Sequence, residues 1–344
     1  MENTIAVVSD PLFTEGHRTP EGHPERPERL GAAAAALSEA RLGMERRVLA
    51  PRDATDDELA RVHEPAYVEA LSRASGRRGY LDADTYCSEG SVQAAKRAAG
   101  GAVALVDSLL DGNARLALAL VRPPGHHARP GTAMGFCLLN NVAVAAAHAR
   151  SRGCEKVAIV DFDVHHGNGT QEMFYEDPSV LYVSLHQWPY YPGTGAAEEA
   201  GAGDGLGATL NVPLSAGAGD AAYLAAFDRI VCPALEGFSP DLLLVSAGFD
   251  AHRNDPLAAM RVTEAGYSGM MRRLAALLPD GGAGRVGLVL EGGYGLDGLR
   301  DSLRATLEAL EAPGTESAQG TLSPTEEADL ARARAVAARF HALS

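Results

Sequence analysis

The sequence predicts a single three-layer α/β/α domain with a mainly parallel sheet. Several short apolar runs are rich in Val, Leu and Ile and lack strict alternation, which is typical of strands buried on both faces of a parallel sheet. Helical stretches separate these runs, and this order implies right-handed β–α–β crossovers with helices on both faces of the sheet. The predicted strands are TIAVVS, RLALALV, KVAIVDF, SVLYVSL, DLLLVSAG and RVGLVLEGG.

Helices are predicted between these strands, and no internal repeat is visible along the chain. One low-complexity stretch, Ala196–Ala208, is rich in Gly and Ala and is interpreted as a mobile surface loop. The main helices are predicted at Gly90–Leu110, Asn141–Ser151, Ala221–Leu235 and Glu264–Leu278.

The end of the chain predicts a separate helix. Ser323 in the N-cap position, Pro324 at the first helical position and Glu326 completing a capping box indicate where this helix begins. The preceding stretch APGTESAQGTLS has the composition of a linker. We therefore expect a catalytic domain over residues 1–312, and a linker with a C-terminal helix over residues 313–344.

Composition and charge narrow the classes of function. The 344 residues, 46% of them hydrophobic and 22% charged, are ordinary for a soluble globular protein. The chain has neither a run of about 18 apolar residues nor the pattern of a signal peptide, so no membrane association is predicted. The formal net charge of −15 argues against nucleic acid as a partner and favours cationic or neutral ligands. The scattered cysteines predict free thiols in a reducing cytoplasm: Cys87, Cys137, Cys154 and Cys232.

Polar and glycine-rich segments follow five of the apolar runs. In an open parallel sheet, ligands bind outside the carboxyl ends of the strands, so side chains that follow several strands meet at one rim. One such strand end would mean little, but five together indicate an active site. The five segments are RPPGHHARPGTAMGFCLLNN, DFDVHHGNG, HQWPYYPGTG, FDAHRNDP and EGGYG.

Two of these strand ends carry candidate metal ligands. Asp161, Asp163 and His165 occupy every second position, so all three point to one face if the chain is still extended there. Asp163 and His165 can then bind one metal ion together with Asp250 from the AGFD strand end. Two carboxylates, one imidazole and an open position suit a catalytic Zn²⁺, or alternatively Fe²⁺. A lone Asp-x-His more often caps a helix, but the second Asp-bearing strand end favours the metal.

Two further segments carry candidates for proton transfer. His126 and His127 are adjacent in a Pro-Pro-Gly loop, where both rings can turn inward. Such a pair is often incidental, but beside a metal it suits proton transfer because imidazole titrates near neutral pH. Tyr294 in EGGYG is either a packed surface residue or a hydroxyl donor to a developing oxyanion. The surrounding glycines favour the donor because they allow a close approach to a ligand.

Taken together, the motifs resemble those of the histone deacetylase superfamily, which includes acetylpolyamine amidohydrolases and bacterial deacetylase-like amidohydrolases. The resemblance covers roughly residues 5–312 and rests on a set of motifs that is specific only in combination. It implies an arginase/deacetylase-like fold. The motifs are RPPGHHA, GFCLLNN, DFDVHHGNGTQ, SLHQ with YPGTG, SAGFDAH with DP, and EGGY.

The resemblance also implies catalytic roles for individual residues. It places the Zn²⁺, or Fe²⁺, on Asp163, His165 and Asp250. It makes His127 the general base and then the general acid, and Tyr294 the group that polarises the amide carbonyl. The other catalytic residues implied are His126 as the electrostatic partner of His127, Asp161 as the residue that orients His126, and Asn168 behind His127.

A narrow substrate tunnel is a further implication of the resemblance. Phe136 and Tyr191 resemble its two walls, Gly135 its floor, and Leu257 a residue at its mouth. A structural K⁺ site is implied at Asp161, Ser184 and main-chain oxygens nearby.

Four residues depart from the pattern of the best-known family members. Asn168 stands where many relatives have a second Asp, and Glu291 stands where class I members have Gly, so both resemble class II enzymes. A neutral Asn should raise the pKa of His127 less than a carboxylate would. Tyr191 replaces a common Phe and adds a hydroxyl to the tunnel wall. Leu257 replaces the Glu of the polyamine-deacetylase type, which leaves selectivity for a distant second ammonium group in doubt.

The predicted function is metal-dependent removal of an acetyl or other acyl group from acetyl-lysine or from a small acetylated amine or polyamine. An arginase-like ureohydrolase is one alternative, although it needs two metal ions and more carboxylates at the strand ends. A non-catalytic acyl-lysine binding module is the other, although a binder needs no proton shuttle. The substrate and any homo-oligomeric state stay open.

Four other histidines lie close to these motifs. The segment Phe13–Leu30 is expected to shape the rim of the site, and its His17 and His23 are equally well interpreted as rim contacts or as turn residues. His166 and His252 lie next to proposed metal ligands but are expected to make local hydrogen bonds instead of binding the metal.

Overall fold

A computed structural model of the chain describes residues 3–277, 285–311 and 320–343. Within them, eight strands form one sheet in the order β2-β1-β5-β10-β9-β6-β7-β8, and every pairing is parallel. This arrangement confirms the predicted α/β fold class. The strands are β1 (Thr4–Val8), β2 (Glu45–Leu49), β5 (Leu116–Ala119), β6 (Val157–Asp161), β7 (Val180–Gln187), β8 (Thr209–Leu214), β9 (Leu242–Ala247) and β10 (Val286–Leu290), with β3 (Gly79–Tyr80) and β4 (Tyr86–Cys87) forming a separate antiparallel hairpin.

Helices pack in two groups against this sheet. Ser91–Leu110 packs with Asn141–Ser151, whereas Leu296–Ala309 packs with Glu28–Glu39 and Glu264–Leu277. The remaining described helices are Leu12–Glu15, Asp56–Leu59, Pro65–Arg73, Asn168–Phe174, Asp220–Ala226, Cys232–Phe238 and Pro324–Ala337. None of the helices in these ranges is long and apolar enough to cross a membrane.

The predicted helix Ala221–Leu235 contains an irregular turn. Its first part ends at Ala226, the residues Phe227–Val231 form a π-helical turn, and an α-helix resumes at Cys232. Pro233 lacks a backbone N–H and therefore cannot complete the regular ladder, which accounts for the wider turn before it.

The two edge strands are absent from the sequence prediction. β2 has the sequence ERRVL and is largely exposed, so it lacks the apolar run that marked the other strands. β8 has the sequence TLNVPL, and Pro213 within it is tolerated because an edge strand needs only one row of ladder bonds. Edge strands expose one row of backbone groups and carry fewer apolar residues than central ones.

Sheet order brings the five predicted functional strand ends together. β5, β10, β9, β6 and β7 are consecutive neighbours in the sheet. Asp161 at the end of β6 pairs with Ser184 on β7 and with Ser246 on β9. The loops that follow these strands therefore converge on one rim, as expected for a parallel sheet.

The C-terminal helix packs on the edge of the sheet. Ser323 and Glu326 form the predicted capping box. The helix buries Leu330, Ala333 and Ala337 and contacts β8. It thus covers an edge strand that would otherwise be exposed.

The glycine-rich stretch Ala196–Ala208, which was expected to be a mobile surface loop, contacts this end of the chain. Glu198 forms an ion pair with Arg332 at 2.8 Å, and the carbonyl of Gly207 accepts a hydrogen bond from His341. Of the predicted linker, residues 312–319 lie outside the described ranges, as does the domain boundary after residue 312.

We predict that Leu330→Ala lowers the free energy of unfolding by about 2–5 kcal/mol, because it removes a buried side chain through which the C-terminal helix joins the core. Metal content should not change, since no candidate site residue lies on this helix. The measurement is chemical denaturation followed by circular dichroism.

Leu206→Ala provides the matched control for this substitution. The same atoms are removed from a side chain that is 56% exposed, so a change within about 0.5 kcal/mol is expected. Equal effects of the two substitutions would mean that the helix contributes little to the stability of the fold.

Candidate active site

A cavity of about 180 Å³ opens at the carboxyl ends of the strands. Asp84 and Tyr190 line it in addition to residues already singled out in the sequence. The half-buried Asp84 is the only carboxylate of this lining. The cavity brings together seven residues that the sequence predicted for the site: His127, Gly135, Phe136, His165, Tyr191, Leu257 and Tyr294.

The candidate metal ligands form a buried cluster beside this cavity. Each of Asp163, His165 and Asp250 offers one ligand atom, and these atoms lie within 4.8 Å of one another. His165 Nδ1 lies 3.2 Å from Asp163 Oδ1 and 3.2 Å from Asp250 Oδ2. Ligands bound to one ion in a tetrahedron with Zn²⁺ bond lengths stand about 3.3 Å apart. The spacing of these atoms therefore fits a shared cation.

An oxygen that accepts no hydrogen bond provides an independent test of that fit. Asp250 Oδ2 is buried and accepts no hydrogen bond in the described part of the chain, although His165 Nδ1 lies 3.2 Å from it. The other oxygen, Oδ1, accepts a hydrogen bond from the backbone N–H of Val164 at 2.8 Å. Leaving a buried carboxylate oxygen without a partner is costly. A cation at this position would satisfy the oxygen.

Two glycines make room for the carboxylates. A Cβ atom at Gly248 would lie 2.1 Å from Asp163 Oδ2, and one at Gly292 would lie 2.1 Å from Asp250 Oδ2. Both distances are far below van der Waals contact. These positions in SAGFD and EGGY therefore exclude any side chain, a reason for the glycines that the sequence alone does not reveal.

The charges of this cluster perturb its pKa values strongly. Burial and the neighbouring charge of Asp163 raise the pKa of Asp250 to about 7. Burial opposes a charged imidazole at His165, but the two carboxylates outweigh it and raise its pKa to about 10. A metal ion must displace a proton from such an imidazole, so acid should weaken metal binding.

The two adjacent histidines have opposite electrostatic surroundings. Burial opposes a charge on His126, but Asp163 and Asp161 outweigh it and raise the pKa of His126 to about 10. His126 Nδ1 lies 3.0 Å from Asp161 Oδ2. Burial and the positive charge of His126 lower the pKa of His127 well below its ordinary value. His126 is thus cationic and His127 neutral near pH 7.

The tautomer of His127 follows from Asn168. His127 Nδ1 lies 2.8 Å from Asn168 Oδ1, and the amide group of Asn168 faces Met134 Sδ at 3.4 Å. Because the carbonyl oxygen can only accept, Nδ1 carries the hydrogen and Nε2 keeps its lone pair. His127 lines the cavity, so it can accept a proton there through Nε2.

Glu291 fixes the loop that carries these histidines. Its Oε2 accepts hydrogen bonds from the backbone N–H groups of Gly125 at 2.7 Å and His126 at 3.1 Å. Burial raises the pKa of Glu291 to about 7. This residue, noted in the sequence only as a departure from class I, ties the EGGY turn to the histidine loop.

Tyr294 lies on the same turn, with its ring facing the cavity. Arg29 stacks over this ring at 5.0 Å and donates a hydrogen bond to the carbonyl of Gly293 at 2.7 Å. Burial raises the pKa of Tyr294 well above its ordinary value. The hydroxyl therefore keeps its proton and remains a hydrogen-bond donor.

The walls of the cavity are aromatic. Phe136 has a φ of 67°, which is unusual for a bulky residue, and its backbone N–H is held by Thr85 Oγ1 at 3.1 Å. Its ring meets that of Tyr294 edge to face at 5.9 Å. Tyr191 meets the ring of His127 in the same manner at 5.1 Å. Gly135 packs so closely on His127 that a Cβ atom would lie 2.5 Å from its ring.

The candidate potassium residues are adjacent but already have partners. Asp161 and Ser184 occupy paired positions on β6 and β7. Asp161 accepts hydrogen bonds from Tyr182 Oη and from the N–H of Asp163, and Ser184 Oγ lies 2.9 Å from His186 Nδ1. Neither side chain has an orphaned oxygen, so K⁺ rests on the resemblance alone.

The other histidines have separate hydrogen-bond partners. His17 is buried and binds Glu25 and Ser91, whereas the ring of His23 packs edge to face against Phe136 at 4.8 Å. The first is therefore structural and the second lies at the rim. His166 is hydrogen-bonded to Thr194 and Gln171, and His252 lies close to Glu264 and Asn254. Neither histidine belongs to the candidate metal cluster.

A buried ionic network behind Tyr294 was missed from the sequence. Glu25 accepts hydrogen bonds from Arg29 and Arg122, and all three side chains are fully buried. Arg122 also binds the carbonyls of Phe13 and His17. The charged pattern GHPERPER, which contains Glu25 and Arg29, was the available signal, but Arg122 lies 97 residues from Glu25 in the sequence.

Comparisons with known proteins agree with this geometry. The family described as the histone deacetylase domain matches residues 23–310. The chain belongs to the histone deacetylase family. It is 45% identical over 312 residues to histone deacetylase 15 of Arabidopsis thaliana, and the aligned region covers 89% of this chain and 56% of that protein. It is 40% identical over 327 residues to the human polyamine deacetylase HDAC10, and the aligned region covers 90% of this chain and 49% of that protein.

A solved structure of this family has the same fold. The crystal structure of the HDA15 HD domain matches with a TM-score of 0.90 and 42% identity, covering 98% of this chain and 95% of the other. The deacetylase-like architecture expected from the sequence is therefore confirmed. The chain spans only about half the length of the two named relatives, 56% and 49%.

We predict that Gly292→Ala weakens zinc binding about 10-fold to 100-fold, as disturbing the support of a ligand typically does. The added methyl group would lie 2.1 Å from Asp250 Oδ2 and 2.5 Å from Asp163 Oδ2, so both carboxylates must move. Competition with a chromogenic chelator measures the affinity.

Gly237→Ala is the control, because nothing lies within 4 Å of a Cβ atom there. It should bind zinc as tightly as the original chain. Unchanged affinity in a folded Gly292→Ala protein would show that the ion does not bind between these two carboxylates.

Proposed function

We propose that this chain is a zinc-dependent deacetylase that hydrolyses an acetylated primary amine, either acetyl-lysine or a small acetylated amine or polyamine. One observation carries the proposal. Three residues line the same small cavity: His127, which is neutral, Tyr294, whose hydroxyl keeps its proton, and the candidate metal ligand His165. A base and an oxyanion donor in one cavity, with a candidate metal cluster beside it, match the requirements of amide hydrolysis.

The substrate enters as an extended alkyl chain in this proposal. Phe136 and Tyr191 present their rings on its sides, and Leu257 borders the mouth. These surfaces suit methylene groups and exclude water from the amide. Asp84 supplies a carboxylate to the lining, where it can meet a peptide N–H or an ammonium group of the substrate.

Asp163, His165 and Asp250 would hold the ion. When bound, the ion would polarise the amide carbonyl and lower the pKa of a water molecule. His127 Nε2 accepts the proton of the attacking water, while its Nδ1 hydrogen stays bonded to Asn168. The same Nε2 then donates this proton to the departing amine nitrogen, which would otherwise be a poor leaving group.

His126 and Tyr294 stabilise the charges that develop. Asp161 orients His126, and the cationic His126 keeps His127 from becoming protonated before water attacks. The Tyr294 hydroxyl donates a hydrogen bond to the oxyanion of the tetrahedral intermediate. Its raised pKa suits a donor that does not lose its proton.

The two alternative functions are less well supported. Within the described ranges, Asp163, His165 and Asp250 are the one group of three or more residues suited to a metal, whereas a ureohydrolase of the arginase type needs two ions. A binding module would not need the Nε2 lone pair of His127 to face the cavity. Turnover itself decides between enzyme and binder.

The substrate is the least constrained part of the proposal. Relatives are named for histones and for polyamines, and both classes present an acetylated amine on an alkyl chain. Leu257 borders the cavity and offers no charge to a distant ammonium group. The zinc-loaded chain should be screened against acetyl-lysine peptides, acetylated polyamines and other small acetylated amines. No release of acetate from any class would contradict the proposal.

Tyr294→Phe should lower kcat by about 10²–10³-fold, because it removes one hydrogen bond to the transition state. KM should change much less, since the bond strengthens only as charge develops on the oxygen. Steady-state kinetics on the best substrate of the screen measures both, with zinc content determined for each protein. Full kcat in the variant would remove Tyr294 from the mechanism.

Asn168→Asp should shift the acid limb of kcat/KM to higher pH by about one pH unit or more. A carboxylate at 2.8 Å from Nδ1 would stabilise the imidazolium and raise the pKa of His127. The base would then be protonated over a wider acid range, and activity would be lost at a higher pH. The exposed Asn113→Asp is the control and should leave the profile unchanged. An acid limb that stays in place would argue against His127 as the base.

A further inference from the structure

Asp255 joins two of the loops around the cavity. Its Oδ2 accepts hydrogen bonds from the backbone N–H groups of Tyr294 at 2.7 Å and Gly295 at 2.9 Å. Its Oδ1 accepts one from the N–H of Leu257 at 3.0 Å. One carboxylate therefore fixes both the residue that bears the proposed oxyanion donor and a residue that borders the mouth.

Asp255 itself does not line the cavity and is not part of the metal cluster. It is 8% exposed. Its three bonds all go to backbone N–H groups, so its action on the reaction must pass through the loops that it holds. A carboxylate that binds two successive N–H groups forms stronger bonds than a neutral acceptor does.

The turn that carries Tyr294 needs such an external support. Gly293 has a φ of 117°. Two successive glycines, Gly292 and Gly293, can adopt many backbone conformations, so their own preferences do not fix this one. A Cβ atom at Gly295 would lie 2.9 Å from the carbonyl of Asn254, so the two turns approach each other directly. The backbone beside Tyr294 is thus held by the Asp255 loop.

We propose that Asp255 is a positioning residue that sets the Tyr294 hydroxyl against the substrate carbonyl. The proposal rests on the deacetylase function proposed above. A hydroxyl displaced by about 1 Å from its productive position can cost about 100-fold in rate. Asp255 acts through Tyr294, and its contribution to kcat exists only while that hydroxyl is present.

A double-mutant cycle tests this dependence. Asp255→Asn keeps the size of the side chain but replaces the shared anionic acceptor. In the original chain it should lower kcat about 10-fold to 100-fold at normal zinc content. In the Tyr294→Phe background it should lower kcat by less than about 2-fold, because residues that act as one unit are not additive. Equal losses in the two backgrounds, or no loss in the first, would overturn the proposal.

Asp241→Asn is the matched control. Asp241 Oδ2 likewise accepts two successive backbone N–H groups, those of Glu155 at 2.7 Å and Lys156 at 2.9 Å. These residues precede β6 at the opposite end of the sheet from the cavity. The control should leave kcat unchanged, so a loss there would indicate that any loop-fixing carboxylate affects turnover.

Amide hydrogen exchange gives a readout that does not depend on turnover. In zinc-loaded Asp255→Asn, the amides of Tyr294 and Gly295 should exchange about 10-fold faster or more, since each loses a bond to a charged acceptor. Unchanged exchange would overturn the positioning role. If exchange is faster in the variant but the original chain releases no acetate from any substrate, Asp255 still positions the turn. The deacetylase function would then be wrong.

Discussion

Compensation of buried negative charge is the constraint on which the rest of the site depends. Asp163 and Asp250 are both buried in one cluster, and burial together with the charge of Asp163 raises the pKa of Asp250 to about 7. Two carboxylates in such proximity are stable only when a proton or a cation neutralises part of their charge. His126 and His165 supply some of it. Asp250 Oδ2 accepts no hydrogen bond from the described residues, so their compensation of the charge is incomplete at this oxygen.

Buried carboxylates also connect the loops around the site. Asp163 accepts a hydrogen bond from the N–H of Gly292, Glu291 accepts two from the histidine loop, and Asp255 accepts two from the turn of Tyr294. Each bond joins a loop after one strand to a loop after another. Loops without a strand ladder thus share one hydrogen-bonded framework, and catalysis by positioned groups depends on such fixed geometry.

The central sheet could be predicted because buried strands are apolar runs. The group of Asp163, His165 and Asp250 could be predicted because each residue directly follows such a run, on strands that are neighbours in the sheet. The edge strands β2 and β8 were not found. β2 is largely exposed and lacks an apolar run, whereas β8 is buried but its apolar run is interrupted by Asn211 and Pro213. The buried network of Glu25, Arg29 and Arg122 was not found either, because Arg122 lies 97 residues from Glu25 in the sequence. His17 and His23 look alike in sequence, and only packing separates the buried network from the rim.

The most direct test of the central claim is a titration of the metal-free chain with Zn²⁺ while acetate release from an acetylated amine is measured. The proposed single cluster predicts that activity rises linearly and saturates at about one equivalent per chain. Full activity in the metal-free chain, or a rise that continues to two equivalents, would contradict it.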